Sequence, residues 1–151
     1  MSLKFIDLAF EEAQKAKILN EVPVGAVIVD WQNKQIIATS HNKCIEMNNM
    51  LMHAEILAIN QASKYFKSGF LSNCDIYITL EPCNMCYHAL WFARIRRIYF
   101  SCSRTQDLYM NNAILKKLEI YEGFSEDKGK ALLQDFFQNK RLNKKTQNYS
   151  F

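Results

Sequence analysis

The order of elements along the chain predicts an α/β fold of three layers, in which helices cover both faces of a mixed five-stranded sheet. A helical pattern comes first, two strand patterns joined by a polar turn follow, and the remainder alternates strands with helices. A sheet built from a hairpin and from strands separated by helices is mixed, and its helices pack on both faces. The length of 151 residues fits one domain over residues 1–151.

The first part of the chain is predicted to form a helix and a hairpin. Residues 3–20 repeat apolar side chains at helical spacing between charged ones. Pro23 then ends the helical pattern. Two short β-branched runs, over residues 26–29 and 35–39, flank a polar turn, and this arrangement predicts an antiparallel hairpin.

The remaining elements alternate between helical and strand patterns. Apolar residues recur every three or four positions in the helices, whereas β-branched and aromatic residues are frequent in the strands. The predicted elements are a helix over residues 53–66, a strand over 75–80, a helix over 83–93, a strand over 97–100, a weak strand over 119–121 and a helix that begins at Ser125. The buried stripe of this last helix is predicted to consist of Ala131, Leu132, Leu133, Phe136 and Phe137.

Composition bears on where the protein acts and what it binds. No apolar run approaches the roughly 20 residues needed to cross a bilayer. The N-terminus carries no export signal, so we expect a cytoplasmic protein. A net charge of +4 permits nucleic-acid binding, and the tail over residues 140–151 is polar and basic. Of the five cysteines, Cys44, Cys74 and Cys102 are expected to be small buried or half-buried apolar residues rather than disulfide partners.

Two short motifs carry the chemistry of the chain. The first is His53-Ala54-Glu55, and the second, thirty residues after the histidine, is Pro82-Cys83-Asn84-Met85-Cys86. One imidazole and two thiolates can hold a single zinc ion and leave the fourth tetrahedral position to water, which is typical of a catalytic site. The carboxylate between them suits proton transfer to and from that water and the substrate. This pair of motifs is the known signature of zinc-dependent nucleobase deaminases.

The predicted helix starts explain how the two motifs meet. Cys83 and Cys86 are three residues apart at the start of a helix, so their side chains lie on one face. His53 opens the other helix, and the positive ends of both helices favour thiolate over thiol. Because residues two apart on a helix diverge, we expect zinc off the helix end, with His53 turned to the metal and Glu55 turned to the substrate.

A structural zinc site is the alternative to a catalytic one. Structural sites usually have four protein ligands. The fourth would have to be Cys74, Cys102, His41 or His88, and none of these has a matching spacing.

The chain resembles the bacterial tRNA adenosine deaminases, within the cytidine-deaminase-like superfamily, over nearly its full length. The metal motif is common to the superfamily, whereas the stretch over residues 21–27 and the ending over 132–137 are more particular to the tRNA branch. The matching residues are Glu21-Val22-Pro23-Val24-Gly25-Ala26-Val27, His41-Asn42, His53-Ala54-Glu55-Ile56, Leu80-Glu81-Pro82-Cys83 with Met85-Cys86, Ala93-Arg94-Ile95, Leu132-Leu133 and Asp135-Phe136-Phe137.

This resemblance implies a fold, an activity and a set of site residues. It implies a homodimer with one zinc ion per chain that converts the wobble adenosine of a tRNA anticodon to inosine. An anticodon loop is already unpaired, which lowers the cost of swinging the base into the site. By the resemblance, the zinc ligands are His53, Cys83 and Cys86, the proton carrier is Glu55, the substrate-binding residues are Asn42, Ala54 and Val24, and the RNA contacts are Asp135, Phe136, Phe137 and Arg141.

Three segments depart from the family pattern. The family usually has Asp-Pro-Thr-Ala ahead of the metal histidine, where this chain has residues 49–52. Residues 101–109 replace a glycine-rich segment, and the stretch that follows is shorter. The helix after the cysteines has Tyr87-His88 and Trp91-Phe92 where small residues are common. The first two segments border the RNA in the family, and the third lies near the subunit contact.

Two other functions fit parts of the pattern. A small-molecule deaminase for guanine, cytosine or deoxycytidylate would use the same metal chemistry. A deaminase-like RNA-binding protein without turnover would use only the fold, but the presence of Glu55 beside all three ligands argues against it.

Overall fold

A computed structural model describes residues 3–104 and 113–146, and its elements follow the order predicted from the sequence. The departure over residues 101–109 falls partly outside these residues. The elements are α1 (Leu3–Ile18), β1 (Gly25–Asp30), β2 (Gln35–His41), α2 (Ala54–Phe66), β3 (Cys74–Leu80), α3 (Asn84–Phe92), β4 (Arg97–Cys102), a short 3-10 helix (Leu115–Lys117), β5 (Ile120–Tyr121) and α4 (Glu126–Thr146).

The five strands form one mixed sheet in the order β2-β1-β3-β4-β5. β1 pairs with β2 and with β3 in antiparallel fashion, and β3–β4 and β4–β5 are parallel pairs. The antiparallel hairpin comes from the short turn, and the parallel pairs come from strands connected across a helix or a longer segment. The predicted α/β fold with a mixed five-stranded sheet is confirmed.

Hydrophobic cores lie on both faces of the sheet. On one face, the alanines of α2 and Tyr87 and Leu90 of α3 pack against Ile76, Ile78 and Ile98. On the other face, α1 packs against the side chains of β1, β3 and β4 that point away from α2 and α3, and Leu132 of α4 belongs to the same core. Because α2 and α3 share a face, their N-termini can approach each other.

Gly25 allows α1 to lie unusually close to β1. A Cβ atom built at this position would stand 1.9 Å from the backbone oxygen of Ala9. The Gly25 amide also donates a hydrogen bond of 3.1 Å to Thr79 Oγ1 on β3. The glycine therefore fixes the start of β1, next to Val24, against both α1 and the central strand.

The last helix differs from its prediction in length and in orientation. It continues to Thr146, so it takes up the first part of the basic tail. Ala131 is exposed and Phe137 is 42% exposed, so the prediction that both belong to the buried stripe is wrong. The helix instead buries Gly129, Leu132 and Phe136, which follow one another at helical spacings of three and four.

The prediction for the cysteines outside the metal motif is confirmed. Cys44, Cys74 and Cys102 are buried free thiols. Within residues 3–104 and 113–146, no helix is both long enough and apolar enough to span a bilayer.

Candidate metal centre and active-site cavity

Three potential metal ligands converge where α2 and α3 begin. His53 and Cys83 occupy the positions just before the two helices, with extended backbones, and Cys86 lies in the first turn of α3. The Nδ1 atom of His53 is 3.6 Å from Cys83 Sγ and 3.5 Å from Cys86 Sγ. The three ligand atoms all lie within 4.8 Å of one another.

These distances fit a tetrahedral zinc ion. Bonds of about 2.3 Å to sulfur and about 2.0–2.1 Å to nitrogen, at the tetrahedral angle, separate the sulfur and nitrogen atoms by about 3.6 Å. Two thiolates and one imidazole also match the preference of zinc for sulfur and nitrogen ligands. Within residues 3–104 and 113–146, no fourth His, Cys, Asp or Glu joins the group.

Three of the four side chains that could have completed a structural site contact other groups. His41 Nδ1 is 2.8 Å from Glu12 Oε2, and His88 Nδ1 is 2.8 Å from the carbonyl oxygen of Asn84. Cys102 Sγ is 3.5 Å from the carbonyl oxygen of Thr79. The geometry therefore favours a centre with three protein ligands.

The acid–base properties of the ligand group reflect its close spacing. A hydrogen bond from the Cys86 thiol lowers the pKa of Cys83 to about 3, and the same bond raises the pKa of Cys86. A hydrogen bond with Cys83 raises the pKa of His53. These pKa shifts follow from the close approach of the two sulfur atoms and the imidazole.

Glu55 is a buried carboxyl beside the ligand group. It lies in the first turn of α2 and is 2% exposed, yet it contributes to the lining of a cavity. Burial raises the pKa of the carboxyl, and the positive charge of Arg104 is among the effects that oppose this rise. Because His53 precedes the helix in an extended conformation, it can face the thiols while Glu55 faces the cavity, as the spacing of the motif required.

Asn42 connects the end of β2 to the start of α2. Its Oδ1 atom accepts a hydrogen bond of 2.8 Å from the Ala54 amide, and its own amide donates to the carbonyl oxygen of Val24 at 3.2 Å. The Ala54 carbonyl accepts a hydrogen bond of 2.6 Å from Ser40 Oγ. Ala54 is fully buried and does not line the cavity, whereas Asn42 and Val24 do.

The cavity has a volume of about 660 Å³ and extends from the ligand group to α4. The lining includes six of the residues predicted from the sequence: Val24, Asn42, His53, Glu55, Phe137 and Arg141. A second cavity of about 680 Å³ lies between the end of α3 and the segment before β5. None of the residues predicted to bind metal, substrate or RNA lines it. The chemistry-bearing side chains therefore identify the first cavity as the candidate active site.

Only two of the four residues predicted to contact RNA reach this cavity. Phe137 and Arg141 line it. Phe136 is 4% exposed and belongs to the core, so it offers no face on which a base could stack. Asp135 points away and forms an ion pair with Lys17 on α1. The two residues that reach the cavity lie one helical turn apart on α4.

Other residues of the cavity were not found from the sequence. Lys140 and Leu133 share the helical face of Phe137, and their spacing of three and four residues from it could have identified them. Glu21 belongs to the stretch that resembles the tRNA branch but was not predicted to line the cavity, and Arg104 enters from the segment after β4. Glu21 is 2% exposed, and its Oε1 atom accepts hydrogen bonds from the amides of residues 45 and 46 at 2.7 and 2.9 Å.

Comparison with known proteins places this site in a family. The model of the MafB19-like deaminases matches residues 2–141. The tRNA-specific adenosine deaminase of Rickettsia felis is 40% identical over 144 residues, which cover 90% of this chain and 100% of that protein. A solved structure from a study of A-to-I editing by tRNA:A34 deaminases at the wobble position is 34% identical, with a TM-score of 0.79, and the match covers 87% of this chain and 100% of that one.

One guanine deaminase of known structure is also similar to this chain. The X-ray structure of guanine deaminase from Bacillus subtilis is 32% identical, with a TM-score of 0.63. The match covers 68% of this chain and 64% of that one. Sequence identity is higher to the tRNA-specific adenosine deaminase of Rickettsia felis, at 40%, than to this guanine deaminase, at 32%.

Proposed function

The chain belongs to the MafB19-like deaminases and to the tRNA-specific adenosine deaminases, and we propose that it converts the wobble adenosine of a tRNA anticodon to inosine by zinc-dependent hydrolysis. The observation that carries this proposal is the convergence of His53, Cys83 and Cys86 beside the buried carboxyl of Glu55 in one cavity. A metal, a proton carrier and a substrate space are the parts that hydrolytic deamination needs.

We propose that zinc is held by His53 Nδ1 and by the sulfur atoms of Cys83 and Cys86. The separations of 3.5 and 3.6 Å between the nitrogen and the two sulfurs support this ligand set. When bound, zinc supplies an activated water at neutral pH, because it lowers the pKa of water to about 7.

Glu55 moves the protons of the reaction. Its carboxylate takes a proton from the water that attacks the ring carbon bearing the amine and delivers it to the adjacent ring nitrogen. It then passes the second proton of that water to the amine, which leaves as ammonia. The overall reaction consumes one water and yields inosine and ammonia. Burial of Glu55 supports this role, since bulk water does not compete for the protons it carries.

Asn42 and Val24 hold the base against Glu55. The Ala54 amide donates to Asn42 Oδ1, and this hydrogen bond fixes the orientation of the Asn42 carboxamide. Its Nδ2 atom then remains to donate to a nitrogen acceptor of adenine. Ala54 serves the base indirectly, because its amide fixes the orientation of Asn42. At the outer end of the cavity, Phe137 can stack on a neighbouring base and Arg141 can approach the RNA backbone.

We further propose that two copies of the chain associate and act in the cytoplasm, where tRNA is decoded. Phe92 of α3 is 72% exposed and Phe66 of α2 is exposed on the same face of the sheet, and such apolar side chains suit a contact between copies. Light scattering during size-exclusion chromatography should give the mass of two chains. The mass of one chain at micromolar concentration would contradict the association.

The function is tested by assaying the zinc-loaded protein with an anticodon stem-loop RNA and with free adenosine, cytosine and guanine. Inosine and ammonia should appear with the RNA. Glu55→Gln should keep one zinc per chain by elemental analysis and lose more than about 10²-fold in rate, because the proton carrier is gone. Activity confined to free bases would overturn the tRNA assignment, and an active Glu55→Gln protein would overturn the proton-transfer role.

A further inference from the structure

Arg104 is a cation of the cavity wall that neither motif predicts. We propose that its guanidinium binds a backbone phosphate beside the target nucleotide and thereby selects an adenosine within a polynucleotide over a free base or nucleoside. The inference rests on the proposed function and names the part of the substrate, a phosphodiester, that this side chain recognises.

Two hydrogen bonds fix Arg104 in place. It lies two residues beyond the end of β4, and its backbone amide donates to Glu81 Oε2 at 2.8 Å. The side-chain Nε atom donates to the Glu81 carbonyl oxygen, also at 2.8 Å. The Nε hydrogen bond therefore holds the Arg104 side chain against Glu81, which lies two residues before Cys83. A guanidinium held at Nε still has its two terminal nitrogens, whose planar fork matches the oxygens of a phosphate.

The guanidinium of Arg104 is not in salt-bridge contact with a carboxylate of the described part of the chain. The Glu81 carboxylate accepts from the Arg104 backbone amide and from the hydroxyl of Tyr87, at 2.8 and 3.3 Å, rather than from the guanidinium. Within residues 3–104 and 113–146, no carboxylate forms a salt bridge with Arg104. Because a half-buried cation is stabilised by a contacting anion, the place of Arg104 in the cavity wall points to an anion that arrives with the substrate.

The other cations of the cavity favour RNA as the source of that anion. Lys140 and Arg141 line the same cavity from α4, a segment separate from that of Arg104. Cations contributed by two separate segments suit a chain with several phosphates better than a mononucleotide with one. A free base carries no phosphate, so Arg104 adds nothing to its binding.

The test compares Arg104→Gln and Arg104→Lys with Lys4→Gln, which removes one charge from the exposed start of α1, outside the cavity lining. On the anticodon stem-loop RNA we expect Arg104→Gln to lower kcat/KM by roughly 10- to 100-fold, mainly through KM. The slope of log KM against log salt should flatten by about 0.7–1. Arg104→Lys should be intermediate because it keeps the charge and loses the fork, and Lys4→Gln should stay within about 2-fold of wild type.

A second arm neutralises the phosphate instead of the arginine. One of the two linkages that flank the target adenosine is replaced by an uncharged methylphosphonate. For one of the two modified RNAs, the activity of the wild-type enzyme should fall. The factor should be about the same as that by which the Arg104→Gln substitution lowers activity on unmodified RNA. On that modified RNA, wild type and Arg104→Gln should be equally active. This arm needs no variant for its first comparison, so a poorly folded Arg104→Gln protein does not prevent the test.

Several results would overturn the inference. One is a kcat/KM for Arg104→Gln on RNA no lower than that of Lys4→Gln. Another is a loss of activity of Arg104→Gln, relative to wild type on the same RNA, that is equally large whichever of the two linkages is neutralised. That result would indicate a structural role for Arg104. A third is deamination of adenosine 5′-monophosphate, with the same Arg104 dependence, in place of RNA. A wild-type enzyme that leaves RNA unchanged would overturn the proposed function itself, whereas an active wild type matched by Arg104→Gln would overturn only the role of Arg104.

Discussion

Asn42 should have two separable roles, and two substitutions at this position distinguish them. Its Oδ1 atom accepts from the buried Ala54 amide, which is the first amide of α2 and has no acceptor within the helix. Its amino group is proposed to donate to the base. Asn42→Ala removes both interactions, whereas Asn42→Asp keeps an oxygen opposite Ala54 and removes only the donor.

The size of the effect on stability follows from burial. Ala54 is 0% exposed, so the loss of its acceptor leaves a buried amide unpaired, at a cost of about 1–3 kcal/mol. For a domain of this length, each kcal/mol lowers Tm by about 2–4 °C, so Asn42→Ala should melt about 2–12 °C below wild type. Asn42→Asp should melt above Asn42→Ala, because the amide of Ala54 keeps its acceptor.

The effect on activity should have the opposite order. Asn42→Ala loses one hydrogen bond to the base, which corresponds to a decrease of roughly 5- to 100-fold in kcat/KM. Asn42→Asp should lose at least as much, because it also places a second carboxyl in the cavity with Glu55. Thermal melts and RNA deamination assays measure the two quantities. An Asn42→Asp enzyme with wild-type kcat/KM would refute the donor role, and an Asn42→Ala protein with wild-type Tm would refute the capping role.

Three further predictions concern the metal, the sheet and pH. Chelation should abolish RNA deamination and lower Tm, and zinc should restore both, because the ion joins the starts of two helices; a metal-free protein with full activity would contradict this. Gly25→Ala should lower Tm by several degrees, since the new methyl group would collide with the backbone of α1, whereas Gly69→Ala, with no atom within 4 Å of its Cβ, should change Tm by no more than about 2 °C; equal Tm values for the two variants would refute the close packing. Burial raises the pKa of Glu12, but hydrogen bonds from His41 and Lys15 outweigh this and lower it below 4.5. A lowered folded-state pKa contributes stability at neutral pH that is lost as pH falls through that value, so the Tm difference between wild type and Glu12→Gln should shrink below about pH 4.5; a constant difference between pH 7 and pH 3 would contradict it.

The convergence of His53, Cys83 and Cys86 could be predicted from the sequence because most of its geometry is local. Each motif lies at a helix start, and a helix start fixes where the next few side chains point. Only the meeting of the two motifs is long-range, and it follows from α2 and α3 packing on the same face of the sheet. The His53-to-Glu55 spacing, awkward on a continuous helix, is resolved because His53 precedes the helix in an extended conformation.

The walls of the cavity were harder to predict because they depend on contacts between distant segments. The apolar residues 131–133 and 136–137 are compatible with more than one rotation of α4. Gly129 decides between them: a Cβ at this position would come within 2.9 Å of Ser101 Oγ on β4, so the glycine side of the helix must face the sheet. This rotation turns Phe136 into the core and leaves Phe137 at the cavity. The role of Glu21 in holding the cavity wall is likewise visible only in the structure, where its carboxylate accepts hydrogen bonds from the amides of residues 45 and 46.

We expect the choice of substrate to depend on the walls of the cavity rather than on the three proposed ligands. The three proposed ligands and the proposed proton carrier suit any ring that carries an amine next to a ring nitrogen, so they do not separate a free base from a nucleotide in RNA. The outer cavity contains what the centre lacks: an aromatic face at Phe137 and cations at Arg104, Lys140 and Arg141. Stacking and phosphate binding recognise features that a polynucleotide has and a free base does not. Selection for tRNA is therefore expected to reside in α4 and in the residues just after β4, while the chemistry resides at the starts of α2 and α3.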